Sequence, residues 1–241
     1  MWYFRNSSLH CVARLKLKAS EYEHVMRYQR KLRRFSLWRG HAVTDSRQKT
    51  PPATLKPNYK KILEAILFLI NESERRGLYV TEYDIDKAVF LADVKHLNEY
   101  GRPITFDNYV AMVHGPVPSA TRDILQPTFK GKPHFREEWP LWDRQPSPSD
   151  GAKAFKFIKP KRKENLRILS KSDVSALTDA LLVVKSLRFS GVKDLTHKHP
   201  AYLDAWVENG TRGAYEMNYS KLFESPDEDI LEDLVFSSKH M

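Results

Sequence analysis

Residues 58–70, NYKKILEAILFLI, decide the fold class. Ile62, Leu63, Ile66, Leu67 and Ile70 recur three and four apart, so on a helix they merge into one wide apolar face that has to be covered. Gly77 stands where such a helix needs a left-handed residue to end. A core helix is expected. The same signals recur downstream. Thr81 with Asp84 is an N-cap for a second helix, in which Ile85, Val89 and Ala92 continue one face to about Tyr100, before Gly101 and Pro103 break it. Ser170 and Asp173 open a third, with Val174, Leu177, Leu181, Val184 and Leu187 at helical spacing and Gly191 expected beyond its end. Ser225-Pro226-Asp227-Glu228 is a further helix start, with a cap, a proline at the first position and acids facing the helix dipole.

Strand signals are fewer. Ala154 to Ile158 alternates, Phe155 and Phe157 on one side and Lys156 on the other, and Leu166 to Leu169 is expected to return across residues 161–165 as the second strand of a hairpin, with both rings inward. Gly115-Pro116-Val117-Pro118 is expected to interrupt any regular element, Tyr109, Val110, Ala111 and Met112 to pack into the core, and Ser119 to cap a short helix toward Leu125. Residues 126–152, rich in Pro, Trp and charge, read as an irregular surface excursion. The expected fold is mainly α, of the α+β kind: a compact multi-helix domain with a small β-hairpin or sheet and a basic N-terminal helical arm.

Composition bounds the function. The hydrophobic fraction of 41% and charged fraction of 29% are ordinary for a globular chain of 241 residues. Cys11 is the single cysteine, so no internal disulfide and no thiolate metal cluster can form. The most apolar run, Ile62 to Ile70, falls far short of the roughly 20 residues that cross a bilayer. The N-terminus lacks a basic region followed by an apolar core and a cleavage site, so a cytoplasmic protein without membrane contact is expected.

The net charge of +10 is unevenly distributed. Residues 1–61 carry 15 Lys and Arg against Glu21, Glu23 and Asp45, or +12, and the remainder is −2. Within this arm Ser20 and Glu23 read as a capping box, and Val25, Tyr28, Leu32 and Phe35 form one apolar stripe, with Arg27, Arg30, Lys31, Arg33 and Arg34 around the other faces. Residues 44–57, with Pro51, Pro52 and Pro57, read as a linker that few contacts cross, giving an arm over 1–57 and a domain over 58–241. A second basic stretch holds Lys153, Lys156, Lys159, Lys161, Arg162, Lys163, Arg167 and Lys171, with Phe155 and Phe157 interleaved. Such compositions neutralise phosphates and stack bases, so Arg30, Lys31, Arg33, Arg34, Lys159, Lys161, Arg162 and Lys163 are candidate contacts to a partner or to nucleic acid. A solvated hairpin with a buried Phe face is the simpler account.

Several short motifs are more specific. Lys87-Ala88-Val89-Phe90-Leu91-Ala92-Asp93, His96-Leu97, Tyr100-Gly101-Arg102-Pro103-Ile104-Thr105, Tyr109-Val110-Ala111-Met112 and Gly115-Pro116-Val117-Pro118 together resemble the core signature of the Panacea, or SocA-like, antitoxin domain. Leu169-Ser170, Leu195-Thr196-His197 and Trp206 are similar to its C-terminal half. The resemblance spans about residues 58–236 and leaves the arm outside. It implies a bacterial antitoxin, mainly helical with a small β element, that inactivates a cognate protein toxin by direct binding; one branch of the family implies a proteolytic adaptor that hands its toxin to a cytoplasmic protease. Gly101, Arg102, Pro103, Tyr109, Ala111, Met112, Gly115, Pro116, Val117, Pro118, His197 and Trp206 carry the family motifs, in a structural or partner-binding capacity. Glycine and proline explain the two turns as backbone punctuation, and Trp206 is expected to be a buried core aromatic.

His96, His114, His197 and His199, with Asp93 or Asp107, are the titratable residues that a metal or acid–base site would draw on. His197-Lys198-His199 before Pro200 lacks the i, i+4 spacing that sets two imidazoles on one metal, and no phosphate loop, nucleophile elbow or HExxH motif is present. No cofactor, metal or catalysis is expected. Three functions fit the sequence: an antitoxin that binds a protein, a DNA-binding regulator that contacts operator DNA through the basic stretch and the arm, and a hydrolase built on the histidines.

Overall fold

The computed structural model describes residues 53–129, 135, 139–151, 154–225 and 228–241, together with Glu23, Met26, Arg27 and Arg30 of the arm. Those four arm residues are helical, and the Arg30 Nε donates to the Met26 carbonyl at 3.2 Å. The capping box at Ser20, the stripe of Val25, Tyr28, Leu32 and Phe35, and the side chains of Lys31, Arg33 and Arg34 lie outside the described residues.

Helix α1 (Tyr59–Arg75) starts where Asn58 accepts from the Lys61 amide, and Gly77 follows its end at φ 68°. Residues 62–70 are all buried, Glu64 included, so the helix is wrapped on every side and not on one face. The short strand β1 (Val80–Thr81) leads into α2 (Glu82–Tyr100), which opens with a reciprocal Thr81/Asp84 capping box and ends at left-handed Gly101. A hairpin of β2 (Tyr109–Met112) and β3 (Gly115–Pro118) and a helix α3 (Ser119–Leu125) follow. After them come β4 (Asp143–Pro146), β5 (Phe155–Ile158), α4 (Lys171–Thr196), α5 (Pro200–Ala205), β6 (Tyr215–Glu216) and α6 (Glu228–Lys239). Helix α2 packs most extensively on α4, and α1 lies against α2, α3 and α4, so three long helices enclose one core. The two three-stranded antiparallel sheets, ordered β1-β5-β4 and β3-β2-β6, flank it. The mainly α fold with a small β component is therefore as expected.

The β pairing is not. Leu166–Leu169 forms turns, and β5 pairs instead with β4 and β1, Phe157 opposite Arg144 and Val80. Phe157 is fully buried, whereas Phe155 is half-buried with the Arg144 guanidinium 3.9 Å over its ring. A tight hairpin forms instead at β2–β3, where Gly115-Pro116-Val117-Pro118 is a strand. The prolines are tolerated because β3 is the edge of its sheet and needs few of its own amides. Along β2 only Tyr109 and Ala111 are buried, Val110 and Met112 being half-buried as strand alternation demands. Residues 126–152 are less peripheral than expected: Leu141 and Trp142 are core residues, and Phe129, Phe135 and Trp139 pack on them.

Three further expectations are corrected. Ser119 is the first residue of α3 and makes no cap; Asp107 accepts from the Ala120 and Thr121 amides, 13 and 14 residues on, at 2.9 and 2.7 Å. Gly191 lies inside α4, which breaks at Arg188 and resumes. The last residues of the proline-rich stretch are fastened to the body: Leu55 is buried, its amide donates to Asn108 Oδ1 at 2.9 Å, and Asn108 Nδ2 donates back to its carbonyl at 2.8 Å.

Candidate partner-binding site

The expected site residues separate into two places. Gly101, Arg102 and Pro103 lie at the first, organised by Asp173, whose side chain is fully buried. Asp173 accepts from Lys61 Nζ at 2.7 Å, Arg102 Nη2 at 3.1 Å and the Ser170 amide at 2.9 Å, with His96 Nε2 at 3.1 Å. Burial alone would raise this carboxyl; the bonds from His96, Lys61 and the Ser170 amide outweigh it and hold Asp173 well below the ordinary carboxylate range. The His96 Nδ1 closes the arrangement on the Arg102 carbonyl at 2.8 Å. One carboxylate thus ties α1, α2, α4 and the Gly-Arg-Pro turn together. Every group there is used inside the protein, which makes this a structural hub.

Asp93 and Asp107 serve the same purpose between the two places. Asp93 accepts from the Ile104 and Thr105 amides, the Thr105 hydroxyl and the Tyr109 hydroxyl. Burial raises both carboxyls, Asp107 to about 6, against the pull of their hydrogen bonds. Neither faces a cluster of ligands: among the described residues no group of three or more His, Cys, Asp or Glu is placed to hold a metal ion.

The second place is the tip of the β2–β3 hairpin, where Met112, Gly115, Pro116, His197 and Trp206 come together. Gly115 has φ 102°, and a Cβ there would lie 2.7 Å from Thr196 Oγ1 and 3.2 Å from Lys87 Nζ. Glycine is required twice over, once for the backbone and once for the space. Buried Lys87 donates from Nζ to the Pro116 carbonyl at 2.6 Å and clips the edge strand to α2, burial pulling its pKa down against the charge of Asp86. Val117 is buried beneath, and Pro118 leads into α3.

From this tip a chain of rings runs across the surface. The Tyr202 hydroxyl donates to the Met112 carbonyl at 3.0 Å, and its ring stacks between His197, at 4.3 Å, and Trp206, at 5.9 Å. Trp206 meets Tyr215 edge-on and its Nε1 donates to Glu208; it is half-buried, which corrects the expectation of a core aromatic. On the other side His114, in the hairpin turn, contacts Phe189 at 5.3 Å, and Phe189 lies 4.7 Å from Tyr83. Phe189 stands there because Arg188, at φ 57° and ψ −174°, breaks α4. That backbone region is costly for any residue with a Cβ, and such strain concentrates where a side chain is being aimed.

Around these rings Val113 is 54% exposed, Phe189 49%, Leu203 64% and Val207 50%. The neutral form of both histidines is favoured. Burial, then the positive charges of Lys193 and Lys87, pull both His114 and His197 below the ordinary histidine value. The result is a ring-rich surface, apolar at its middle. Sequence reasoning had Met112, Gly115, His197 and Trp206 but missed Tyr83, Phe189 and Tyr202. The available signal for Phe189 was its phase: it falls off the stripe that ends at Leu187.

The basic candidates fare differently. Arg162 is committed to buried Glu64 through two bonds of 2.9 and 2.7 Å, leaving Lys159, Lys161 and Lys163 as its exposed neighbours. Lys159 Nζ lies 3.8 Å from Asp143. Glu72, Glu74 and Glu164 are interleaved here, with Arg75 paired to Glu72 and Glu164 and the Lys159 amide donating to Glu74. This is a mixed-charge surface.

No helix among the described residues is long and apolar enough to cross a membrane. No curated protein and no solved structure matches the chain. Residues 85–202, from Ile85 in α2 to Tyr202 in α5, match the family model described as antitoxin SocA-like, Panacea domain, a narrower span than the 58–236 of the sequence resemblance. The match takes in Asp173 with His96 and Arg102, the hairpin and Phe189, leaves out Lys61, and stops four residues short of Trp206. The chain carries a SocA-like Panacea antitoxin domain over residues 85–202.

Proposed function

We propose that this protein is an antitoxin that neutralises a protein toxin by binding it directly, with the surface around Val113 and Phe189 as the contact. The observation that carries the reading is that the matched residues supply the middle of that surface: Val113, His114, Phe189 and His197 lie inside residues 85–202, with Leu203, Trp206 and Val207 just beyond. Desolvated centres of protein interfaces are made of aromatic and aliphatic side chains of this kind, anchored by a rigid scaffold. On this reading the chain is a binding protein and not an enzyme. Its cost of binding is low, because hairpin, Tyr202 and Trp206 are already held in place by hydrogen bonds and stacking.

The test is co-expression with the protein encoded by the adjacent gene. The wild-type chain relieves the growth arrest caused by that protein and co-purifies with it. Val113→Asp combined with Phe189→Asp abolishes both effects, while the melting temperature stays that of the wild type. A harmless neighbouring product defeats the antitoxin role, and undiminished rescue by the double variant defeats the assignment of the surface.

A further inference from the structure

A groove of about 290 Å³ opens on the far end of the chain, between the segment that precedes α1 and helix α6. Ala53, Leu231, Glu232, Val235, Phe236 and Lys239 line it. Helix α6 is fastened to the body by buried Leu234 and Ser238, with Leu231 and Val235 packing partly against the core and Ser238 Oγ accepting from the Lys56 amide at 3.1 Å. Phe236, on the groove, is 65% exposed. Leu231 and Val235 are half-buried beside it.

Acids outnumber bases around this groove, Lys239 being the cation on its wall. Residues 224–238 contain Glu224, Asp227, Glu228, Asp229, Glu232 and Asp233 and no Lys or Arg. Residues 1–52 contain 12 Lys and Arg against three acids. They join the described body at Ala53, which is itself a wall of the groove. The apolar stripe read over Val25, Tyr28, Leu32 and Phe35 has the same apolar character as the groove wall of Leu231, Val235 and Phe236. The 18 residues from Phe35 to Ala53 can reach roughly 60 Å when extended, several times the length of α6. A segment tethered this closely is present at an effective concentration in the millimolar range.

We infer that the occupant of this groove is the chain's own N-terminal arm: the amphipathic helix over about residues 20–37 docks on α6, its apolar stripe on Leu231, Val235 and Phe236 and its Arg and Lys against Glu232, Asp233 and their acidic neighbours. The arm then acts as an intramolecular clasp that covers the weakly attached C-terminal helix. It lies outside the residues that carry the antitoxin domain, so this inference stands or falls separately from the assignment of the Val113 and Phe189 surface.

Hydrogen–deuterium exchange of the full 241-residue chain, read by mass spectrometry at about 50 mM salt, tests it. In the wild type, peptides covering 20–37 and 228–241 exchange at least tenfold more slowly than an open chain. Phe236→Asp and, separately, Leu32→Asp release both peptides together, and raising the salt to about 0.5 M weakens the protection because the exposed charges are screened. Glu232→Lys with Asp233→Lys weakens it as well, and adding Arg33→Glu with Arg34→Glu restores it. Since Leu32 is remote in sequence from α6, its variant keeps the test decisive if Phe236→Asp disturbs that helix. Open-chain exchange over 20–37 in the wild type overturns the inference. So does protection that neither variant releases, or protection that grows with protein concentration alongside a dimeric mass, which would seat the arm on a second copy.

Discussion

Gly115 and Thr196 approach so closely that a Cβ on the glycine would lie 2.7 Å from the threonine Oγ1. This contact presses the turn of the β2–β3 hairpin onto the end of α4, and it places His114 against Phe189 and Met112 against Tyr202. Gly115→Ala meets both a positive φ and an occupied space, terms worth about 1–3 kcal/mol each. A loss of about 2–5 kcal/mol in denaturant unfolding is expected. In a Thr196→Ala background the steric part is relieved and the loss shrinks, so the two substitutions are non-additive. Equal losses in both backgrounds would mean that backbone strain alone accounts for the glycine.

Arg188 holds an exposed, strained backbone position whose service is to aim Phe189. Glycine tolerates that conformation, so Arg188→Gly raises stability, by up to about 1 kcal/mol, without loss of partner binding. Unfolding midpoints together with a co-purification assay check both halves. A destabilised Arg188→Gly would show that the break in α4 is not a store of strain.

Leu55 ties the segment before α1 to the body. Its side chain is buried and both of its backbone polar groups are held by Asn108. Leu55→Ala is expected to cost about 2–5 kcal/mol, as for other buried leucines. Asn108→Ala removes two bonds worth about 0.5–1.5 kcal/mol each. Chain shortened to begin at residue 53 should keep the main thermal transition, and chain shortened to begin at residue 57 should lose several degrees. Identical melting of the two would refute the tie.

His199 caps α5 through Nδ1, which accepts from the Ala201 amide, and its ring lies against Phe90. Burial alone pulls its pKa down to about 4. The folded state therefore holds the ring neutral while the unfolded chain protonates near 6.5. Stability is fully present above about pH 6.5 and falls as the pH drops toward 4, by about 3 kcal/mol for this one group. His199→Asn keeps an acceptor at the cap and should flatten that slope in urea unfolding between pH 7 and 4. An unchanged slope would move the acid sensitivity to another group.

Much of the helical frame was legible because its determinants are close in sequence. Thr81 with Asp84, Ser170 with Asp173, Gly77 and Gly101 act across four residues or fewer, and each occupies the position its type predicts. The family motifs were legible too, as a resemblance, and the match over 85–202 agrees with them. Within the candidate site the sequence singled out Met112, Gly115, His197 and Trp206 but not Phe189 and Tyr202, which reach the hairpin from helices about 75 and 90 residues away along the chain.

What only the tertiary structure decided are the pairings between distant segments. A strand's alternation says that it is paired but not with what, so β5 took β4 and β1 in place of 166–169. Proline forbids a central strand but not an edge, and whether Gly115–Pro118 lies at an edge is a property of the sheet. Asp93 and Asp107 look like ligands in a list of acids; burial among backbone amides made them fasteners. Arg162 looks like a free cation until Glu64, buried on α1, requires it. Local hydrogen bonds and apolar periodicity are written in neighbouring residues. The partner of a buried charge, a strand edge or an exposed ring depends on which remote segment the collapsed core brings alongside it.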